Sequence, residues 1–231
     1  MKMEKNMIRL CFVIFFLFLV APDAKPGGKE GGGVVVDKAK SLIKIDAKIA
    51  PRKLPHLSKI YEIEVIACWP HPKGKKAHET VVTIEAKPSA VHKGILALGL
   101  KPGKPVMGGE AIPEGPEVHL FLEFPGPDGA TKKVSMDKTM VDTRNKKPFP
   151  KSVKWRFTGS VMSKPDPTKD ETVYGADIDG TLIAIFPVTD KTVLQGALKF
   201  KDQDYLKLEI NTKLLPKEGT PVKLVIEVPK K

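Results

Sequence analysis

Cys68, His71, His78 and Glu79 are the side chains of this chain whose types and spacing could do chemistry together. A thiolate and imidazoles are transition-metal ligands, and a carboxylate beside an imidazole can orient it or move its proton. Such a site needs three or four of these groups to converge. The flanking residues bear on whether they do. YEIEVIA (61–67) and HETVVTIEA (78–86) both alternate as strands do. Pairing them as a hairpin over the loop WPHPKGKKA (69–77) would put Cys68 and His78 at one end, with His71 above them.

The four residues are the candidate ligand-binding set; no catalytic residue, metal or cofactor is assigned. Cys-x2-His followed by His-Glu falls short of a ligand set, and residue 82 is Val, so His-Glu-x-x-His is not formed. Each residue also has a structural role open to it. Cys68 reads as a small buried hydrophobe at a strand end, and His78 with Glu79 as a hydrogen bond pinning the loop. His56 lies upstream. His92 is separated from His78 by distance: a strand over 78–86 spans about 26 Å, and the following helix returns only about 6–8 Å.

DIDGTL (177–182) has the form of the nucleophile motif of haloacid-dehalogenase-type phosphatases. That chemistry needs its first Asp at the end of a buried parallel strand, with later acidic and lysine motifs holding Mg²⁺. VYGA (173–176) is a poor buried strand, and 49 residues follow Leu182. The expectation is a type I′ hairpin turn at Asp179-Gly180, with Asp177 and Asp179 facing solvent. No Walker loop, dinucleotide fingerprint or Ser-His-Asp order is present.

The elements that must position these residues are mostly strands. Ile43, Ile45, Ala47 and Ile49 alternate with Lys44, Asp46 and Lys48, and strands are also expected over 118–124, 153–159, 181–186 and two segments near the end. Pro88 fits a first helical turn, Val91, Ile95 and Leu98 follow at i, i+4 and i+7, and Gly99 suits the C′ position. This helix is expected to cross between parallel strands. A second short helix is expected from Asp190 as N-cap to Leu198. AVHKGILAL (90–98) matches TVLQGALKF (192–200), and GPEVHLFLEF (115–124) matches GTPVKLVIEV (219–228), at offsets of 102 and 104. The fold class is therefore α+β: mostly β, an antiparallel or mixed sheet with two short helices, in one domain over 34–229. The matched segments argue for duplicated β-β-α-β halves, 34–125 and 126–229.

Ahead of that domain, Lys2, Lys5 and Arg9 precede the apolar run LCFVIFFLFLVA (10–21). A basic start and a 12-residue apolar stretch read as a signal peptide over 1–24. At about 18 Å the run is too short for a hydrocarbon core of roughly 30 Å. The mature chain is thus expected outside the cytoplasm, secreted or periplasmic, without a transmembrane span. Residues 25–33 (KPGGKEGGG) are expected to be a flexible linker.

Lysine and arginine number 39 against 27 acidic residues, for a formal net charge of +12, and only Arg9, Arg52, Arg144 and Arg156 are arginine. Base or phosphate readout favours the guanidinium fork, so specific nucleic-acid binding is excluded. The charge instead suits solubility and affinity for an anionic polymer or surface.

HETVVTIEAKPSAVHKGILALGLKPGKP (78–105) resembles the hallmark segment of the YdjY-like family of exported bacterial proteins. WRFTGS (155–160) and YGADIDGTLIAIF (174–186) resemble segments that follow it in longer members. The resemblance covers 34–229, implies an exported protein and brings no catalytic residue with it. Some relatives are linked with electron transfer, but this chain has two cysteines, too few for an iron–sulfur cluster. The function expected is a non-enzymatic binding or interaction module of the cell envelope, its partner an envelope protein or an anionic polymer. The alternative is an enzyme, redox or metal-binding protein centred on Cys68, His71, His78 and Glu79.

Overall fold

Alternation builds the strand on which the rest is hung. The computed structural model describes residues 29–30 and 33–229. In it, Ile43, Ile45, Ala47 and Ile49 form the buried face of β3 (Leu42–Ile49), while Asp46 and Lys48 face solvent. Before it come β1 (Lys29–Glu30) and β2 (Val34–Asp37). After it come β4 (Val65–Cys68), β5 (Thr80–Ile84), helix α1 (Pro88–Ala97), β6 (Glu117–Pro125), β7 (Thr131–Ser135), β8 (Met140–Asp142) and β9 (Trp155–Phe157). The chain then forms β10 (Met162–Ser163), β11 (Val173–Tyr174), helix α2 (Ala176–Asp179), β12 (Thr181–Ala184), β13 (Leu194–Gly196), β14 (Leu208–Ile210) and β15 (Pro221–Glu227).

One side of β3 pairs with β15 along nearly its whole length. The other side is shared, β2 taking the first half and β5 the second. The order β3-β15-β6-β9-β13-β12-β4-β5 therefore returns to β3 and closes a mixed, eight-stranded barrel. Closure leaves the ring without an open edge. β1 and β2 extend outward from β3 and β7 from β6, while β10–β11 and β8–β14 are two small separate sheets. A single buried cluster joins Ile45 of β3, Leu122 of β6, Phe157 of β9, Ile183 of β12 and Leu224 of β15 with Val91 and Ile95 of α1. Among the described residues no helix is long and apolar enough to cross a membrane.

The mostly β, mixed α+β class is what the alternation predicts. Several finer expectations are not met. Residues 190–198 hold strand β13 rather than a helix; the second helix among the described residues is the four-residue α2. The matched segments 90–98 and 192–200 thus differ in structure, helix α1 against strand β13, so this pair gives no duplicated half. The other matched pair became β6 and β15, which are antiparallel neighbours with Leu122 opposite Leu224. Helix α1 does not link parallel neighbours, because β3 and β15 separate β5 from β6 and the strand senses make those two run oppositely. Within the expected linker, Lys29–Glu30 pairs antiparallel with Val34–Val35. The signal peptide expected over 1–24 lies outside the described residues.

Candidate functional site

The four candidate residues depend on how β4 meets β5, and the two strands are parallel: Val65 lies opposite Thr80 and Cys68 opposite Thr83. This corrects the expected hairpin. Residues 69–79 are long enough to cross back, as a parallel connection requires, so that β5 starts beside the start of β4. The crossing is fixed by Trp69, whose Nε1–H donates to the carbonyl of Ala86 at 2.8 Å. Its indole also covers Gly180, where a Cβ would lie 2.5 Å from the ring. Cys68 and His78 therefore stand at opposite ends of the strand pair.

Cys68 is fully buried in a small cluster with Leu54, Val65 and Ala77. Its Sγ–H donates to the Trp69 carbonyl at 3.2 Å. Burial pushes the thiol up to about 12, against a contrary pull from Thr80 and with a further push from Glu79. At neutral pH such a group is protonated and is not poised as a nucleophile. His71 is exposed and stacks on His56, ring centroids 4.3 Å apart. His78 stands edge-on to Tyr61 at 4.9 Å, and its Nε2 is 3.7 Å from Glu79 Oε2. Burial, then Lys76, lowers the pKa of His78.

Glu79 is 5% exposed, and Lys76 Nζ lies 2.5 Å from its Oε1 and 3.1 Å from Glu64 Oε2. Burial raises the Glu79 carboxyl despite the ammonium beside it. Burial also works against the charge on Lys76, but Glu79 and Glu64 hold its pKa above the usual range. The arrangement is a Glu64–Lys76–Glu79 ion triad under the crossing loop, with His78 at its edge. Among the described residues no three of His, Cys, Asp and Glu are placed to hold a metal ion.

The Asp-rich motif is also placed differently from expectation. Gly180 is the left-handed cap of α2, at φ +70°, rather than part of a hairpin turn. Asp177 and Asp179 are engaged rather than solvent-facing. Asp177 Oδ1 accepts the backbone N–H of Ser89 at 2.9 Å, capping α1, and Asp179 pairs with Lys75 at 2.7 Å. Both precede β12, so neither stands at the end of a strand as the phosphatase nucleophile must.

Two polar clusters were not foreseen. Arg52, 7% exposed, holds Glu209 bidentately at 2.6 and 3.1 Å and donates to the carbonyls of Tyr61 and His78. The rarity of arginine in the chain was the available signal. On the far side of the barrel, Tyr174 Oη accepts the Ser160 N–H at 3.1 Å and lies 2.6 Å from His92 Nδ1. Burial lowers the pKa of His92.

Open grooves lie on the outer surface. One of about 640 Å³ crosses β3, β15 and β6 between Lys48, Lys223 and Glu123. Another, of about 680 Å³, runs past Ile60, Ile210 and Leu215 above the Arg52–Glu209 pair.

The family model described as the YdjY domain matches residues 34–227, and the chain belongs to that family. Neither the curated proteins nor the solved structures give a match.

Proposed function

We propose that this member of the YdjY domain family is an exported, non-enzymatic binding module of the cell envelope. The filled barrel carries the reading. Side chains from all eight barrel strands occupy its core, so recognition falls to the outer grooves and the loops around them. The states of Cys68 and Glu79 support it: one is a buried thiol with a raised pKa, the other is committed to Lys76. The basic n-region and apolar run before residue 22 support export.

Two measurements test this. Protein recovered from its native host should begin near Pro22 or Lys25 and lie outside the cytoplasm; intact Met1 on a cytoplasmic protein overturns export. A photo-crosslinking residue at Lys48, in the groove of about 640 Å³, should capture the same partner in the parent protein and in Cys68→Ala. Capture abolished by Cys68→Ala in a folded protein would instead place function at the thiol.

A further inference from the structure

One of the densest blocks of positive charge in the chain lies over residues 138–156. Between Lys138 and Arg156 there are seven basic residues and one acidic residue, Asp142, which is half of the +12 formal excess in 19 of 231 residues. The fold presents this segment as a projecting hairpin and an adjoining cleft. The hairpin leaves along β8 and returns through Lys147 and Phe149: Asp142 N–H donates to the Lys147 carbonyl at 2.8 Å and Phe149 N–H to the Met140 carbonyl at 3.1 Å. Its tip carries Arg144, Lys146 and Lys147, all exposed. The cleft, of about 350 Å³, is lined by Lys138, Lys151 and Lys154, with His119 and Ser135.

The acidic groups nearby leave most of this charge uncompensated. Asp142 is 2% exposed, and its carboxylate is held by Asn145 Nδ2 at 2.7 Å, by the Arg144 N–H at 3.1 Å and by the Arg144 Nε at 3.8 Å. Glu117 is committed to Lys154 at 3.1 Å and Arg156 at 4.0 Å. Asp137 also lines the cleft. Lys138, Lys146, Lys147 and Lys151 make no ion pair among the described residues. Holding like charges together without counter-charges is unfavourable, and an anionic partner would relieve it.

We infer that the cleft and the 140–149 hairpin bind a linear polyanion. This rests on the binding-module reading and names its partner class. Four unpaired lysines spread over a cleft and a hairpin, with Arg144 and Lys154 beside them, exceed what one small anion can engage. A membrane surface fits less well, because none of the exposed large hydrophobic residues falls within 131–156 to enter the lipid interface. The cations of the surface are mostly lysine, which suits a repeating charge over a base sequence.

The shared chemistry is a repeated anion, phosphate or carboxylate, so inorganic polyphosphate and polygalacturonate are the two probes, titrated against the mature chain. Binding to at least one is expected, weakening with salt because the release of condensed counterions gains less free energy at higher salt. The triple variant Lys146→Asn, Lys147→Gln, Lys151→Gln should bind at least tenfold more weakly and lower the log–log salt slope by about 2. A control triple of the same charge change, Lys38→Gln, Lys93→Gln, Lys101→Gln, should change affinity less than threefold. Independently of any variant, bound polymer should protect Lys138, Lys146, Lys147 and Lys151 from amine acylation and leave Lys38, Lys93 and Lys101 reactive. Equal losses in both triples, protection spread over all lysines, or no binding to either polymer overturns the inference. So does binding only to anionic phosphatidylglycerol vesicles. Export and capture of a partner at Lys48 would survive any of these outcomes, so this site can fail without the wider reading failing.

Discussion

At the scale of single residues, the candidate site is occupied by packing and pairing. Cys68 should resist alkylation by iodoacetamide at pH 8 in the native protein and react fully once unfolded in guanidinium, because the thiol raised to about 12 is both protonated and enclosed. Native labelling at the rate of a free thiol would contradict this. The Glu64–Lys76–Glu79 triad gives a second prediction. Lys76→Met leaves the buried Glu79 carboxylate without its counter-charge and should cost about 2–3 kcal/mol at pH 7 by denaturant unfolding. That is less than the roughly 3–5 kcal/mol of a fully buried pair, since Lys76 is 29% exposed. The pH dependence follows from the raised pKa of Glu79. A carboxyl with a higher pKa folded than unfolded binds more protons in the folded state, so its contribution falls as pH rises through the folded pKa. The Lys76→Met deficit should therefore shrink as pH is lowered from 7 toward 4.5, and Glu79→Gln in the same background should remove it at pH 7. A deficit independent of pH would assign the loss to the lysine stem.

At the scale of elements, Gly180 is the point where the α2 cap meets the crossing loop. A methyl group there would sit 2.5 Å from the Trp69 ring at φ +70°. Gly180→Ala should cost about 2–4 kcal/mol from left-handed strain and overpacking together; a loss below 1 kcal/mol would mean that Trp69 moves freely. How far these elements could be read from sequence depends on how they are buried. β3 was legible because one face is buried and the other wet, so Ile43 to Ile49 alternate. α1 was legible because Pro88 and Gly99 punctuate it. β13 was misread because Leu194, Gln195 and Gly196 are all buried; with both sides covered, alternation disappears and Val193 and Leu194 pass for helix. The Cys68–His78 pairing was misjudged because strand sense is a property of the connection, here the 69–79 crossing, and not of either strand's own pattern. The cap that Asp177 places on Ser89 joins residues 88 apart, which no local spacing records.

At the scale of the whole molecule, closure makes the barrel one cooperative unit. Removing any strand would open two edges of the ring, so urea unfolding followed by far-ultraviolet dichroism and by tryptophan fluorescence should give one coincident transition. Two separated transitions would contradict a single ring. The way β3 is shared also fixes where Val34 and Glu227 lie relative to each other. β2 and β15 lie on either side of β3, with Val34 opposite Ile45 and Glu227 opposite Leu42, which places these two residues about 14 Å apart by strand spacing and rise. A linker of about eight residues spans that gap easily. Circular permutation should therefore be tolerated: residue 229 joined to residue 34, with new termini in the exposed 166–171 segment. The permutant should keep the parent's dichroism spectrum and melt within about 10 °C of it. The order in which synthesis delivers the strands would then be one of several that close the ring.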